Sequence, residues 1–267
     1  MAFLPMAVPS ALGLTDPMTT TDLNWQWAAR TGGELGTAQR RELLRALARA
    51  LPGLVSDVVR TKLGRRGQGR VAFGSIRTPD SALALAAEQE ARDCLSPHVL
   101  EHSYRTYFFG KALAELDGAQ VDDELVYVAS LLHDLQLEDP TPGRCFAVVG
   151  GERAARFALA QGASPARAEA VGAAIGAHIT LGASDDLGDP GGFVSAGAGT
   201  DVFGFRMSEL DSAWVDELLA RHPRLGFKRR MAEAWAAESA AVPKGRAAWL
   251  TRYAAFPLLI KLAPFEE

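Results

Sequence analysis

The segment Tyr127–Leu137, YVASLLHDLQL, is a dense apolar run that carries His133 and Asp134 side by side. A run of this kind belongs in a core, where an imidazole and a carboxylate are costly unless something satisfies them. The fold must therefore bring partners to this pair. Two further polar residues stand in similar surroundings: His102, in HSYRTYFFGKAL (102–113), and Asp201, in FVSAGAGTDVFGF (193–205). One divalent cation satisfies two imidazoles and two carboxylates at once. The mixed nitrogen and oxygen set suits zinc, iron or manganese.

The rest of the chain patterns as helix. Runs rich in Ala, Leu, Arg and Glu recur between Gly and Pro breaks, and strand-like alternation is scarce. RELLRALARAL (41–51) predicts a helix stopped by Pro52-Gly53, followed by a loop over 63–70. Pro79 opens a helix to about Cys94, and Pro97 opens the one carrying His102. Asp122 caps a helix that ends at His133–Asp134. Gly150-Gly151 precedes a helix in ERAARFALAQG, and Ser164-Pro165 starts another that runs through His178. ASDDLGDPGG (183–192) predicts a loop, the Asp201 segment a helix, Asp211 a cap, and 227–240 a last amphipathic helix. The fold class is all-α: a helical bundle over 79–267, with residues 1–78 as a mostly helical extension packed on it.

On the helix from Pro97, Val99, His102, Thr106, Phe109 and Leu113 recur at three- and four-residue steps, so His102 points where the core residues point. A core histidine with a hydrogen-bond partner fits that pattern as well as a ligand does. His133 and Asp134 diverge by about 100° around a helix, so both reach one ion only if it sits beside the helix between them. Asp at a helix C-terminus opposes the dipole, and a cation supplies a reason for it. Asp201 has no basic neighbour before Arg206; a helix cap is the alternative to a buried, paired carboxylate. His178 closes an apolar stripe of Val171, Ala174 and Ile175. Arg105 borders the face of His102, where it either holds an anionic group or pairs with an acidic neighbour.

The order H…HD…D over these residues resembles the HD-domain superfamily of metal-dependent hydrolases. HSYRTYFFGKAL, LVYVASLLHDLQL (125–137), FAVVGGERAARF (146–157) and GTDVFGFR (199–206) resemble its cyanamide hydratase-like branch. The resemblance covers roughly residues 79–250 and implies one divalent metal ion on His102, His133, Asp134 and Asp201. It implies that His178 faces the substrate and moves a proton, that Arg105 belongs to the site, and that metal-activated water adds to a small neutral substrate such as cyanamide. A small, largely apolar pocket lined by residues such as Phe146 would follow. The first alternative is a phosphohydrolase acting on a nucleotide or small phosphoester, with Arg105, Lys111 and Arg206 as its candidate cations. A non-catalytic HD signalling module ranks lower because all four ligands are kept. A two-metal oxygenase needs a further histidine that residues 135–177 lack, although Glu152 offers an oxygen there.

The resemblance implies a small-molecule substrate, and composition argues against two other classes of partner. The net charge of −4 gives no pull toward nucleic acid or an anionic membrane, and the basic string 60–70 lacks interleaved aromatics. No apolar stretch is long enough to span a bilayer. MAFLPMAVPSALGLT opens without the basic residues of a signal peptide and predicts a loose leader before a start nearer Met18. A cytoplasmic location follows, with Cys94 and Cys145 reduced.

Overall fold

The computed structural model describes residues 23–76 and 78–267, so the leader expected at the N-terminus lies outside the described residues. Among the described residues there are twelve α-helices and no strand. They are α1 (Trp25–Thr31), α2 (Thr37–Lys62), α3 (Ala82–Cys94), α4 (Pro97–Asp117), α5 (Asp123–Leu132) and α6 (Phe146–Ala160). After these come α7 (Pro165–Ala177), α8 (Pro190–Phe203), α9 (Ser212–Arg221), α10 (Phe227–Ala241), α11 (Arg246–Tyr253) and α12 (Phe256–Leu262). No helix among the described residues is long and apolar enough to cross a membrane.

Local chemistry sets several boundaries. Asp122, Ser164 and Asp211 accept from the backbone N–H three residues on, capping α5, α7 and α9. Ser81, rather than the Pro79 turn, caps α3, so that helix starts three residues later than its proline suggests. Asp189 caps α8 at Pro190, inside the segment expected to be a loop. Two expected breaks are not breaks. α2 runs through Pro52 to Lys62. Its first half is anchored by buried Leu43. Its second half is tied down by Asp57, which accepts from Arg206 N at 2.5 Å and Ser208 Oγ at 2.5 Å. Gly150-Gly151 lies inside α6, where it makes a close crossing rather than a helix start. A Cβ on Gly151 would stand 2.5 Å from the Gly172 carbonyl of α7 and 3.0 Å from the Trp25 ring of α1. Trp25 likewise sits 2.6 Å from where a Cβ of Gly176 would be, so α1 docks on the shared glycine surface of α6 and α7.

Two apolar clusters make the interior. One joins α3 to α9 around Phe109, Leu131 and Phe193; the other joins α1, Leu43 of α2, the start of α6, the end of α8, α10, α11 and α12 around Phe146, Phe227 and Trp235. α5 is the innermost piece, with every residue from Leu125 to Leu132 buried. Each large side chain so buried contributes roughly 1.5–3 kcal/mol, which fixes the position of the His133–Asp134 pair at its end.

α4 and α8 lie antiparallel in a strict four-residue register. Phe193 packs where a Cβ on Gly110 would be, at 2.6 Å. One turn along, a Cβ on Gly197 would stand 2.0 Å from the Thr106 carbonyl. One turn further, Asp201 faces His102. The two glycines let the helix backbones approach closely, and that approach brings the carboxylate to the imidazole.

Candidate metal centre

Three imidazoles converge on one carboxylate. His102 comes from the second turn of α4, while His133 and Asp134 come from the C-terminal end of α5 and His178 from that of α7. All four are buried, at no more than 6% exposure. His102 Nε2 lies 3.2 Å from His133 Nε2. Asp134 Oδ2 lies 3.3 Å from His133 Nε2 and 3.6 Å from His102 Nε2. His178 Nε2 approaches the other oxygen, Asp134 Oδ1, at 3.7 Å.

The opposite edge of each ring fixes its tautomer. His133 Nδ1 lies 2.8 Å from the Ser130 carbonyl, and His178 Nδ1 lies 2.6 Å from the Ile175 carbonyl. A carbonyl only accepts, so each Nδ1 carries the proton. His102 Nδ1 lies 2.7 Å from Asp201 Oδ2. Asp201 is ionised: burial pushes its pKa up, but Arg105, Arg224 and His102 outweigh burial and hold it far below the usual carboxylate range. His102 therefore donates from Nδ1 as well. With the rings neutral, all three Nε2 atoms present lone pairs to one another and to the Asp134 carboxylate, which draws a proton to His133 where no metal ion is bound. That arrangement repels itself unless a cation sits among its members.

The titration behaviour of the side chains agrees. Burial disfavours a charged His133, but Asp134 overrides it and raises the His133 pKa above the ordinary imidazole value. Burial also works against an ionised Asp134, and here His133, His102 and His178 win and keep it a carboxylate. Burial lowers the His102 pKa, against the opposing pull of Asp201. Burial and the neighbouring His133 push His178 down to about 3. The cluster thus favours positive charge at its centre and keeps its outer rings neutral.

The donor set fits a divalent ion. His102, His133 and Asp134 each offer one ligand atom within 4.8 Å of the others. Ligands about 2.0–2.2 Å from a common ion stand roughly 3–3.6 Å apart, as these three do. Asp201, the fourth expected ligand, is brought to the site but stands on the far side of His102, against Nδ1. Arg105 Nε donates to its Oδ1 at 2.8 Å, Arg105 Nη2 to its Oδ2 at 2.9 Å, and Arg224 Nη1 to its Oδ1 at 2.8 Å. Held this way, Asp201 fixes the His102 ring with Nε2 turned toward the cluster, as a carboxylate does behind a metal-binding histidine.

Arg105 does not reach substrate space. Its guanidinium is fully buried on Asp201 and on the His222 and Pro223 carbonyls, at 3.1 and 2.9 Å. Arg224 was not foreseen: it lies in an irregular turn before α10 and belongs to no periodic pattern. Glu152 pairs with Arg144 at 2.6 Å and stands outside the cluster.

A cavity of about 930 Å³ opens onto the cluster, with His102, His133, Asp134 and His178 in its wall. Phe146 lines it too, its ring 5.6 Å from that of His178. The cavity is largely apolar, as expected, but it is not small. α2 stands off the bundle and leaves the space between itself and α8, α10 and α12 open. Among the described lining residues Arg49 is the only Arg or Lys.

One family model matches the part of the chain that carries the cluster. Residues 99–189 match the family model of the HD domain. The matched span contains His102, His133, Asp134 and His178 and ends before Asp201. A comparison with curated proteins gave no match. The HD match supports metal-dependent hydrolase-type chemistry, and the cluster supplies a buried place for the metal.

Proposed function

We propose that the protein is a metal-dependent enzyme that adds water to a neutral substrate, a hydratase or hydrolase of the cyanamide hydratase-like kind. The observation that carries this reading is the convergence of three Nε2 lone pairs and a carboxylate at the end of a cavity with almost no basic wall. A divalent ion held there would supply Lewis acidity for the addition of water. His102, His133 and Asp134 would hold it, and Asp201 fixes the His102 ring. His178 keeps Nδ1–H on the Ile175 carbonyl and turns a bare Nε2 toward the cluster. Its pKa, pushed down to about 3, keeps that Nε2 unprotonated and able to accept from water or substrate, and its place beside Asp134 at 3.7 Å is what supports a part in passing a proton to the nitrogen or oxygen that becomes anionic. For cyanamide the sum is one water added across the C≡N bond to give urea.

The phosphohydrolase alternative needs free cations to meet phosphate oxygens. Its three candidates are engaged elsewhere. Arg105 clamps Asp201, Lys111 pairs with Asp123 at 2.6 Å, and Arg206 pairs with Asp117 and Glu209. The test is a parallel assay of cyanamide, aliphatic nitriles and amides, nucleotides and phosphoesters with the metal-loaded protein. Turnover of the neutral compounds is expected. Turnover of phosphate compounds alone would overturn the reading.

A further inference from the structure

α2 has an unusual economy for a 26-residue helix. Only Gln39 and Leu43 along it are buried. Yet Leu43, Leu47, Leu51, Leu54 and Val58 recur at three- and four-residue steps and form one apolar stripe. This stripe does not enter either apolar cluster beyond Leu47; it lines the cavity. Leu51 and Val55 remain 52% and 54% exposed, and Val58 39%. From Leu43 to Val58 the stripe runs about 22 Å at 1.5 Å per residue. Opposite it stand Val202 and Phe203 of α8, Trp235 of α10 and Phe256 of α12. Apolar surface facing water forgoes about 25 cal/mol per Å², a loss that an apolar ligand between the two walls recovers. The volume is at the upper end for a small-molecule site and far exceeds a substrate of three heavy atoms such as cyanamide.

We propose that the substrate is a neutral amphiphile with an extended apolar chain, which lies along the inner stripe of α2 while its polar reactive group reaches the His102, His133 and Asp134 cluster. This rests on the water-adding reading for what happens at the head group; the site for the chain rests on the cavity itself. Arg49 is the only Arg or Lys among the described lining residues, which favours a neutral ligand over an anionic one along the cavity.

The test separates the two. The neutral probe N-phenyl-1-naphthylamine is titrated into the full chain by fluorescence, with octanenitrile and cyanamide as competitors. Binding is expected, with displacement by octanenitrile and none by cyanamide at equal concentration. The double variant Val55→Glu/Val58→Glu, which alters half-exposed positions on the cavity side of α2, should weaken probe binding at least tenfold. Leu44→Glu, on the same helix but outside the cavity wall, should leave it within twofold. Circular dichroism verifies that the helices persist in both. In turnover, kcat/KM for linear nitriles should rise with chain length, by up to about fourfold per buried methylene. No probe binding, or equal weakening by Leu44→Glu and the double variant, would overturn the proposal. Cyanamide turnover without probe binding would leave the reaction and remove the chain site. Probe binding with the expected variant pattern but no turnover of any neutral compound would leave the chain site and remove the reaction.

Discussion

Asp201 shows how much one carboxylate fixes. Its two oxygens take hydrogen bonds from His102, Arg105 and Arg224, and all four residues are buried. In Asp201→Asn the two guanidinium groups lose their common counter-charge, and the His102 ring loses the partner that sets its tautomer. Breaking a buried ion pair on one side costs about 3–5 kcal/mol, so a clear fall in thermal midpoint is expected by calorimetry. Metal affinity should fall about 10- to 100-fold in a competition titration against a chelator, because the ring is no longer aimed. Unchanged affinity would mean that Asp201 does not orient His102. His178 makes a second prediction. Its folded-state pKa of about 3 lies below the ordinary 6.5. Between those values the unfolded chain takes up a proton that the folded chain refuses. Stability should therefore fall as pH drops through that window and be fully present above it. His102 shifts in the same direction and His133 in the opposite one. Thermal melts of the metal-stripped protein from pH 7 to pH 4 should show the loss, and His178→Asn should reduce its slope.

At the scale of elements, the α4–α8 register carries the site. Gly197→Ala places a methyl 2.0 Å from the Thr106 carbonyl, so the helices must part by more than an ångström. Overpacking of this kind costs about 1–3 kcal/mol. It should also weaken metal binding, since Asp201 lies one turn along from Gly197. A Gly197→Ala protein with wild-type melting and metal affinity would refute the register as the positioning device. The caps were legible because Asp122, Ser164 and Asp211 act within three residues of themselves, and so was the buried face of α4. Pro52 and the Gly150-Gly151 pair misled. A local breaker reading weighs propensity alone, whereas Asp57 holds α2 beyond its proline and the α6–α7 crossing needs its glycines. α1, α11 and α12 are short, and tertiary packing rather than periodicity decides them.

At the scale of the molecule, the ligand candidates were legible because charged and imidazole groups stood in apolar runs that had to be buried. Which of their atoms meet was not. The side of His102 that Asp201 occupies depends on Arg105 and on Arg224, more than a hundred residues apart in the chain. Cavity size was equally hidden, since an apolar helix face reads alike whether it closes a core or lines a cavity, and α2 does the latter. Two apolar clusters meet around the site, His102 on α4 stacking on Phe227 of α10 at 4.6 Å. An ion bound only by the folded chain should therefore stabilise the whole bundle, and the midpoint should rise with metal concentration.

On the proposed function, His102, His133 and Asp134 together hold one divalent ion. Elemental analysis of protein reconstituted with zinc, manganese or iron(II) and then desalted tests it most directly, with His133→Ala, Asp134→Ala and Glu152→Gln alongside the wild type. About one ion per chain is expected in the wild type and in Glu152→Gln, and less than about a tenth of that in the two cluster variants while their helices persist. A full complement of metal in His133→Ala and Asp134→Ala, or none in the wild type with any of the three metals, would contradict it.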